Sequence, residues 1–225
     1  MTLDPSELPE LLERSWQARE EIVYRRLFGD LGPGIYTLSA ETFEPFARTQ
    51  VDPRWLHCGV FVSPPSPMRP TWLYVSSGLS NPWWDTETRQ PGVSGLGCEF
   101  LLELPEAATW GILHVQNITA FQLLLAAGHY PNRPPLEPWD RIPLKQPIDA
   151  IDSLLRWLLV VPPDDATRTF HLESGRVRIY TLLGLTDAEA EVARDQGGDR
   201  LLDLLRGANA YPVTQPARRS VVRAA

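Results

Sequence analysis

Apolar and polar positions alternate most regularly between Gly97 and Leu104. Successive side chains of a β-strand point to opposite faces of a sheet, so this alternation predicts a strand with two different faces. The apolar face carries Cys98, Phe100, Leu102 and Leu104. The opposite face carries Glu99, Leu101 and Glu103. Its two carboxylates predict that this second face is exposed to solvent.

A period close to 3.6 residues marks the helical segments. Asp4-Pro5-Ser6-Glu7 has the composition of a capped helix start, and Gly29 is a natural stop. The apolar positions between them are Leu8, Leu12, Trp16, Val23 and Leu27. A second helix is predicted after Pro105-Glu106, to about Ala127, with a broad apolar stripe that needs burial against a sheet. Shorter helices are predicted over 151–159, after the capping box at 186–189, and over 199–206.

Aromatic and β-branched residues mark the remaining strands, at 35–38, 55–62 and 71–76. The loops between them are too short for a crossover helix, which predicts an antiparallel meander. A hairpin is predicted where 170–172 and 177–182 flank Ser174-Gly175. Since no convincing linker interrupts the chain, residues 1–225 are predicted to form a single α+β domain, with a mixed or antiparallel sheet packed against helices.

The charge balance narrows the choice of partner. The formal net charge is −7 and the isoelectric point is near 5.1, which argues against nucleic acid and favours a basic partner. Cys58 and Cys98 lie far apart in the chain, a pattern typical of reduced core thiols. The N-terminal residues lack an apolar signal core, and Arg156 interrupts the longest apolar stretch. We therefore expect a cytoplasmic protein without a membrane segment.

Candidate catalytic and metal-binding patterns do not reach the spacing that their chemistry requires. The glycine-rich segment 92–97 leads into a strand rather than a helix, which favours a tight turn or bulge over a phosphate loop. Cys58, Cys98 and the four histidines have no zinc-ligand spacing. Glu99 and Glu103 could form an acid and base pair, but no nucleophile or metal accompanies them. The sequence predicts no catalytic residue, no metal and no cofactor.

The loop that contains Trp83, Trp84 and Asp85 is the best candidate for an interaction surface. Two adjacent tryptophans in a loop rich in proline and aspartate do not both enter one core easily, and tryptophan is enriched at interfaces. The alternative is that the loop covers a sheet edge. If the loop is not the interface, the strand face bearing Glu99 and Glu103 is the next candidate for partner binding.

Five segments resemble suppressor-of-fused domains. Thr71-Trp72-Leu73-Tyr74-Val75-Ser76-Ser77-Gly78-Leu79-Ser80 resembles the family's strand that ends in a Ser or Thr, Gly, Met, Ser turn, with Leu79 where methionine is usual. Gly97-Cys98-Glu99-Phe100-Leu101-Leu102-Glu103-Leu104 resembles its Gly, aromatic, Glu, Leu strand, with Cys98 in the aromatic position. The segments 184–189, 201–205 and 213–220 are similar to its closing pattern. The resemblance spans about residues 20–222.

The resemblance implies a short, stand-alone, bacterial member of that family, because animal relatives carry a second, C-terminal domain for which this chain leaves no room. It implies a non-catalytic protein-binding module, and several such members are thought to be immunity proteins that neutralise toxins. An acidic chain is compatible with a basic toxin domain as partner, since opposite charge speeds encounter. The alternative is a small-molecule or metal-dependent enzyme. The oligomeric state is not predicted.

Overall fold

Alternating and continuous apolar segments form one mixed sheet in the structure, a computed structural model that describes residues 8–46, 50–82, 92–163 and 166–222. The strands are β1 (Tyr36–Thr37), β2 (Gly59–Ser63), β3 (Trp72–Ser77), β4 (Val93–Leu104), β5 (Arg141–Pro143), β6 (Leu155–Val161), β7 (Thr169–Leu172) and β8 (Gly175–Thr186). Their order is β1-β2-β3-β4-β8-β6-β5, and β7 pairs with β8 outside this path. The predicted α+β class with a mixed sheet is confirmed.

The helices are α1 (Leu8–Trp16), α2 (Arg25–Phe28), α3 (Ala40–Phe43), α4 (Thr109–Ala126), α5 (Asp187–Gln196) and α6 (Gly198–Gly207). A π-helix (Gln17–Tyr24) joins α1 to α2, so that 8–28 is one continuous helical rod. It ends at Gly29, whose φ is +81°, as the sequence predicts. Short 3₁₀ turns occupy Glu44–Phe46, Pro53–His57 and Ala166–Arg168.

Helices cover both faces of the sheet. On one face α4 packs against residues that include Phe100 and Leu102 of β4. On the other face the rod 8–28 packs against β3, β4 and β8, while α5 and α6 cover the far end of β6 and β8. Leu101 of β4 belongs to the cluster beneath the rod. The predicted alternation along β4 is therefore confirmed, but both of its faces are buried.

The central pairing joins distant parts of the chain. β1, β2, β3 and β4 form the predicted antiparallel meander, and β7 with β8 forms the predicted hairpin. β4 then pairs in parallel with β8, a connection that passes through α4 and the strands that follow it. Parallel pairs need such a long crossover, so this contact is not visible in local sequence patterns.

Two sequence predictions are wrong. The helix predicted over 151–159 is a loop followed by strand β6, because the seven-residue apolar run Leu155–Val161 ends in valines and is bounded by turns. Such a run fits a buried strand as well as a short helix. The strand predicted from Trp55 begins at Gly59, after a 3₁₀ turn in which the Arg54 N–H donates to the Asp52 side chain.

The C-terminal segment is tied to the sheet by buried polar contacts. Thr214 donates its N–H to the Glu103 carbonyl (2.8 Å), and its hydroxyl accepts from the Gly184 N–H (3.0 Å). Arg218 forms two hydrogen bonds to the buried Glu189 carboxylate, at 2.6 and 2.7 Å. Glu189 also completes the predicted capping box at the start of α5. The closing pattern of the sequence therefore stabilises the fold.

Candidate functional site

The partner-binding residues proposed from the sequence fall in two situations. Trp83, Trp84 and Asp85 lie outside the residues that the structure describes. Glu99 and Glu103 are 0% and 6% exposed, so the expectation that they face solvent is wrong. The rod 8–28 covers Glu99. The acidic residues that alternate with apolar ones along β4 therefore mark buried polar contacts rather than a face exposed to solvent.

Glu99 is held by the turn that follows β3. One carboxylate oxygen accepts hydrogen bonds from the N–H groups of Gly78 (3.0 Å) and Ser80 (2.9 Å) and from the Ser80 hydroxyl (2.6 Å). The other accepts from the Ser76 hydroxyl at 2.5 Å. Four donors satisfy most of the capacity of the carboxylate, which is the usual condition for burying such a group.

Gly78 makes this turn possible. Its φ is +130°, a backbone conformation that residues other than glycine rarely adopt. A Cβ added there would lie 2.6 Å from the Cys58 sulfur. Because Gly78 has no side chain, the turn can pack closely against Cys58 while its N–H groups donate to Glu99. The segment that resembles the family's Ser, Gly, Ser turn is thus the cradle of a buried carboxylate.

Arg19 completes the network from the rod and is 0% exposed. Its guanidinium donates to the Ser77 hydroxyl (2.9 Å), the Ser80 hydroxyl (3.0 Å) and Oδ1 of Asn81 (2.9 Å). It lies 4.0 Å from the Glu99 carboxylate and also bonds Glu20 at 3.0 Å. Burial lowers the pKa of Arg19, but Glu99, Tyr24 and Glu20 together raise it by more, so the pKa lies above its usual value. The arginine is therefore a buried cation.

Sequence reasoning missed Arg19, although a signal was present. The buried positions of the rod include Leu11, Ser15, Arg19 and Val23, which recur every four residues. A charged residue in such a stripe indicates a paired, hydrogen-bonded charge, because an unpaired charge is very costly to bury. The predicted stripe of Leu8, Leu12, Trp16, Val23 and Leu27 begins on a different side of the helix and shares only Val23 with these four buried positions.

The network is sealed rather than reactive. Arg19, Ser77, Ser80, Asn81 and Glu99 are each at most 1% exposed, so a substrate has no access to them. Glu103 lies apart from them, where it accepts a hydrogen bond from the Thr71 hydroxyl. The two carboxylates therefore belong to different contacts and do not form an acid and base pair.

An open groove lies on the α4 face of the sheet, between α4 and β5. Its volume is about 890 Å³, within the range of ligand and peptide sites. The apolar residues along it include Phe46, Phe121, Tyr130, Ile142 and Leu144. Phe121 stacks on Phe46 with ring centroids 5.8 Å apart and meets Tyr130 edge-on at 5.5 Å. The groove therefore has a rigid aromatic floor.

One wall of the groove is an outer strand of the sheet. β5 pairs only with β6 in the described strands, with Ile142 opposite Leu158, and Leu144 donates to the Arg156 carbonyl. In an antiparallel ladder the intervening residues direct their N–H and C=O groups away from the partner. The Arg141 N–H and the carbonyls of Arg141 and Pro143 therefore point away from the sheet. Pro143 has no N–H to offer, which limits indiscriminate pairing at this edge.

The charge around the groove differs from that of the whole chain. The cationic side chains of Arg133 and Lys145 line it, against the acidic side chain of Asp140. Arg141 also lines it, but its guanidinium donates to the Ala190 carbonyl of α5 at 3.1 Å. His114 also lines it and contacts the Ile148 carbonyl through Nε2 at 2.7 Å. Burial lowers the pKa of His114, so its neutral form is favoured. The groove is locally basic in a chain of net charge −7.

Neither a metal-binding cluster nor a membrane-spanning helix occurs among the described residues. Nowhere among them do three or more His, Cys, Asp or Glu side chains gather in a way that could hold a metal ion. No helix of the described chain has both the length and the apolar composition needed to cross a bilayer. Cys58 and Cys98 are both buried, unpaired thiols.

The fold defines an α+β protein whose mixed sheet carries helices on both faces. The family model described as suppressor of fused protein (SUFU) matches residues 54–219, which is more than half of the chain. The chain therefore belongs to the suppressor of fused family, as the resemblance implies. Among curated proteins, none matches the chain.

Solved structures show the same fold. The Sufu-Fu complex contains a chain 21% identical, with a TM-score of 0.63, and the match covers 95% of this chain and 91% of that one. A SUFU homolog from Neisseria gonorrhoeae FA 1090 is 18% identical, with a TM-score of 0.62 and coverage of 98% and 100%. Drosophila Suppressor of Fused is 20% identical, with a TM-score of 0.59 and coverage of 81% and 49%.

Proposed function

We propose that this chain is a non-catalytic protein-binding module whose partner places an extended segment in the groove between α4 and β5. The observation that carries this proposal is the outer edge of β5, which no described strand pairs, beside an apolar, aromatic groove of about 890 Å³. The Sufu-Fu complex, in which a similar chain is assembled with Fu, supports a protein as the ligand. The sealed Arg19 and Glu99 network offers no reactive group to a substrate.

Strand addition explains how such a partner is recognised. Backbone hydrogen bonds to the β5 edge supply affinity, and alternate side chains of the added strand enter the groove and supply specificity. Phe121 and Tyr130 provide rigid apolar contacts for those side chains. Arg133 and Lys145 favour an acidic residue at the end of the segment.

The specific role that we propose is toxin immunity in the cytoplasm, with a basic toxin domain as partner. The net charge of −7 supports this role, because the acidic surface outside the groove attracts a basic domain and speeds its encounter with the chain. We also assign Trp83, Trp84 and Asp85 to the partner surface, on the interface preference of tryptophan. Glu99 and Glu103 are buried and present no carboxylate there.

The groove is tested with a matched pair of charge substitutions. The partner is first identified by cross-linking to the tagged chain and is then purified. Ile142→Asp places a charge in the groove, and Ile151→Asp places the same charge at a residue that is 80% exposed elsewhere. We expect Ile142→Asp to weaken binding about tenfold or more, and Ile151→Asp to leave it unchanged. Equal affinity of both variants would place the interface elsewhere.

Hydrogen exchange tests the mode of binding. The Arg141 N–H points away from the sheet and should exchange quickly in the free chain and slowly in the complex. The Ile142 N–H, which faces β6, serves as the internal control. An Arg141 amide that gains no protection when the partner is bound would rule out strand addition.

The immunity role is tested separately. The gene beside that of this chain is expressed alone and together with the chain, and cell growth is measured. We expect the neighbouring product to arrest growth alone, and co-expression to restore growth through a complex that contains both proteins. A neighbouring product that neither arrests growth nor binds the chain would contradict the immunity role and leave the groove proposal standing.

A further inference from the structure

A second open site begins with an irregularity in β4. From Val93 to Cys98 the strand advances five residues, while the paired β8 advances only two, from Arg176 to Arg178. The extra residues form a bulge, as the glycine-rich sequence predicts. Gly97 has a φ of +71°, and a Cβ there would lie 2.3 Å from the Val93 side chain. The glycine therefore lets the bulge fold over itself.

The bulge leaves a cleft of about 590 Å³ at the C-terminal end of α4. Apolar side chains line two of its sides, from Leu96 on the bulge to Pro135 and Pro138 on the segment that follows α4. Gln122 closes the floor, since its amide contacts the Cys98 sulfur (3.6 Å) and accepts a hydrogen bond from the Leu136 N–H (2.7 Å). The segment 135–138 separates this cleft from the groove at β5.

Two arginines supply the charge of the cleft. Arg176 and Arg178 are alternate residues of β8, so they share a face, and both are exposed and line the cleft. Arg178 is hydrogen-bonded to Tyr180, two residues further along the same face of β8. Neither arginine forms an ion pair with a carboxylate in the part of the chain that is described. The two like charges on one strand face repel each other, and an anionic ligand would relieve that repulsion.

The acidic composition of the whole chain contrasts with the pair of arginines at this cleft. The chain has 28 acidic and 21 basic residues, so carboxylates are abundant, and a basic pair without a carboxylate partner among the described residues is unusual. His171 on β7 is exposed and lies directly opposite Arg176, so its imidazole is on the same face of the sheet as the two arginines. Glu137 is the one acidic side chain of the cleft lining. Its negative charge repels a dianionic ligand more strongly than a monoanionic ligand.

We propose that this cleft binds a ligand with a single carboxylate group attached to an apolar body. The Arg176 guanidinium is the main binding group, because a planar guanidinium matches a carboxylate with two parallel hydrogen bonds. Arg178 adds a second cation, and Leu96 with the two prolines contacts the apolar body. A free small molecule and an acidic side chain of a peptide share this chemistry. The proposal does not depend on the partner of the β5 groove.

Two probes distinguish the sources of the carboxylate. The first is 4-phenylbutyrate, with its uncharged amide as control. The second is a capped tripeptide with one glutamate between two leucines, with the glutamine peptide as control. Binding is followed by NMR shifts of backbone amides in 93–98 and 176–178. We expect saturable shifts with the acids, none with the amides, and weaker binding at higher salt. Tighter binding of the first probe indicates a free ligand, and tighter binding of the second indicates a peptide.

Three substitutions test the assigned roles in the full chain. Arg176→Gln removes the main binding group and should weaken binding of the better probe about tenfold. Glu137→Gln removes the opposing charge and should strengthen it about threefold. Arg200→Gln changes the same charge at an exposed residue outside the cleft and should leave it unchanged. All three positions are exposed, so folding should be unaffected, which circular dichroism and melting temperature verify.

The proposal fails if neither acid gives saturable shifts at 93–98 and 176–178, or if the uncharged amides give the same shifts. It also fails if Arg176→Gln and Arg200→Gln bind the probe equally. A folded Glu137→Gln variant that binds more weakly than the parent would contradict the assigned electrostatics, because it would make Glu137 a binding group.

Discussion

Two arginine sites of this protein occupy opposite environments. Arg19 is completely buried, and its guanidinium is matched to two serine hydroxyls, an asparagine oxygen and two carboxylates. Arg176 is exposed beside an open cleft and has no carboxylate partner in the described chain. A satisfied buried charge holds a fold together, whereas an unsatisfied exposed charge is available to a ligand. The buried arginine therefore contributes to stability, and the exposed arginine is the one available for recognition.

The largest effect is expected at the carboxylate of the buried network. Glu99→Ala leaves the Arg19 cation without its counter-charge and frees four donors that now bond Glu99. We expect it to lower the free energy of unfolding by about 5 kcal/mol, measured by urea denaturation. The control is Glu106→Ala, at an exposed residue after β4, which should change stability by less than about 0.5 kcal/mol. Similar losses in both variants would show that the network is unimportant.

A smaller loss is expected at the cation of the same network. Arg19→Met keeps an apolar stem in the core, and Glu99 keeps the four donors of the 76–80 turn. We expect a loss of about 3 kcal/mol. A double-mutant cycle with Glu99→Ala should show that the two losses are not additive. Additive losses would mean that the 4.0 Å approach of the two charges carries no coupling.

The buried thiols should make the protein sensitive to alkali. Burial raises the pKa of Cys98 to about 12 and also raises that of Cys58. Unfolded thiols ionise near pH 8.5, so the folded state holds more protons above that pH and stability falls as pH rises. We expect a loss of about 2 kcal/mol between pH 8 and 9.5 for the two thiols together. The Cys58→Ala, Cys98→Ala double variant should lack this loss; an unchanged slope would contradict the assignment.

The smallest effect is expected at the exposed arginine. Arg176→Met is the same substitution as that at Arg19, but it removes no described ion pair. We expect the free energy of unfolding to change by less than about 0.5 kcal/mol. A destabilisation as large as that of Arg19→Met would show that Arg176 supports the fold, and the contrast between the two sites would disappear.

Local patterns predicted much of this fold. The β4 alternation, the helix α4, the β7 and β8 hairpin and the capping box of α5 each depend on residues close in the chain, and all are present in the structure. The parallel pairing of β4 with β8 was missed because its register joins residues about 80 positions apart. The 151–159 segment was misassigned because a short apolar run does not distinguish helix from strand.

The sites were less predictable than the fold. Glu99 and Glu103 were identified from their spacing, but their environment depends on which element covers the strand, and that is a tertiary property. Arg19 and Arg176 have the same chemistry in the sequence and opposite burial in the structure. The β5 groove and the β4 cleft are each formed by segments far apart in the chain, so no local sequence motif predicts them.

The parallel pairing at the centre of the sheet also has a consequence for synthesis on the ribosome. Arg176 follows its partner Val93 by 83 residues, so one edge of the β1 to β4 meander stays unpaired until β8 emerges. At about 5–20 residues per second, this interval is roughly 4 to 17 s. An apolar strand left open for that long favours aggregation and slow folding. Nascent chains stalled before β8 should therefore be the form of this protein that most requires chaperones.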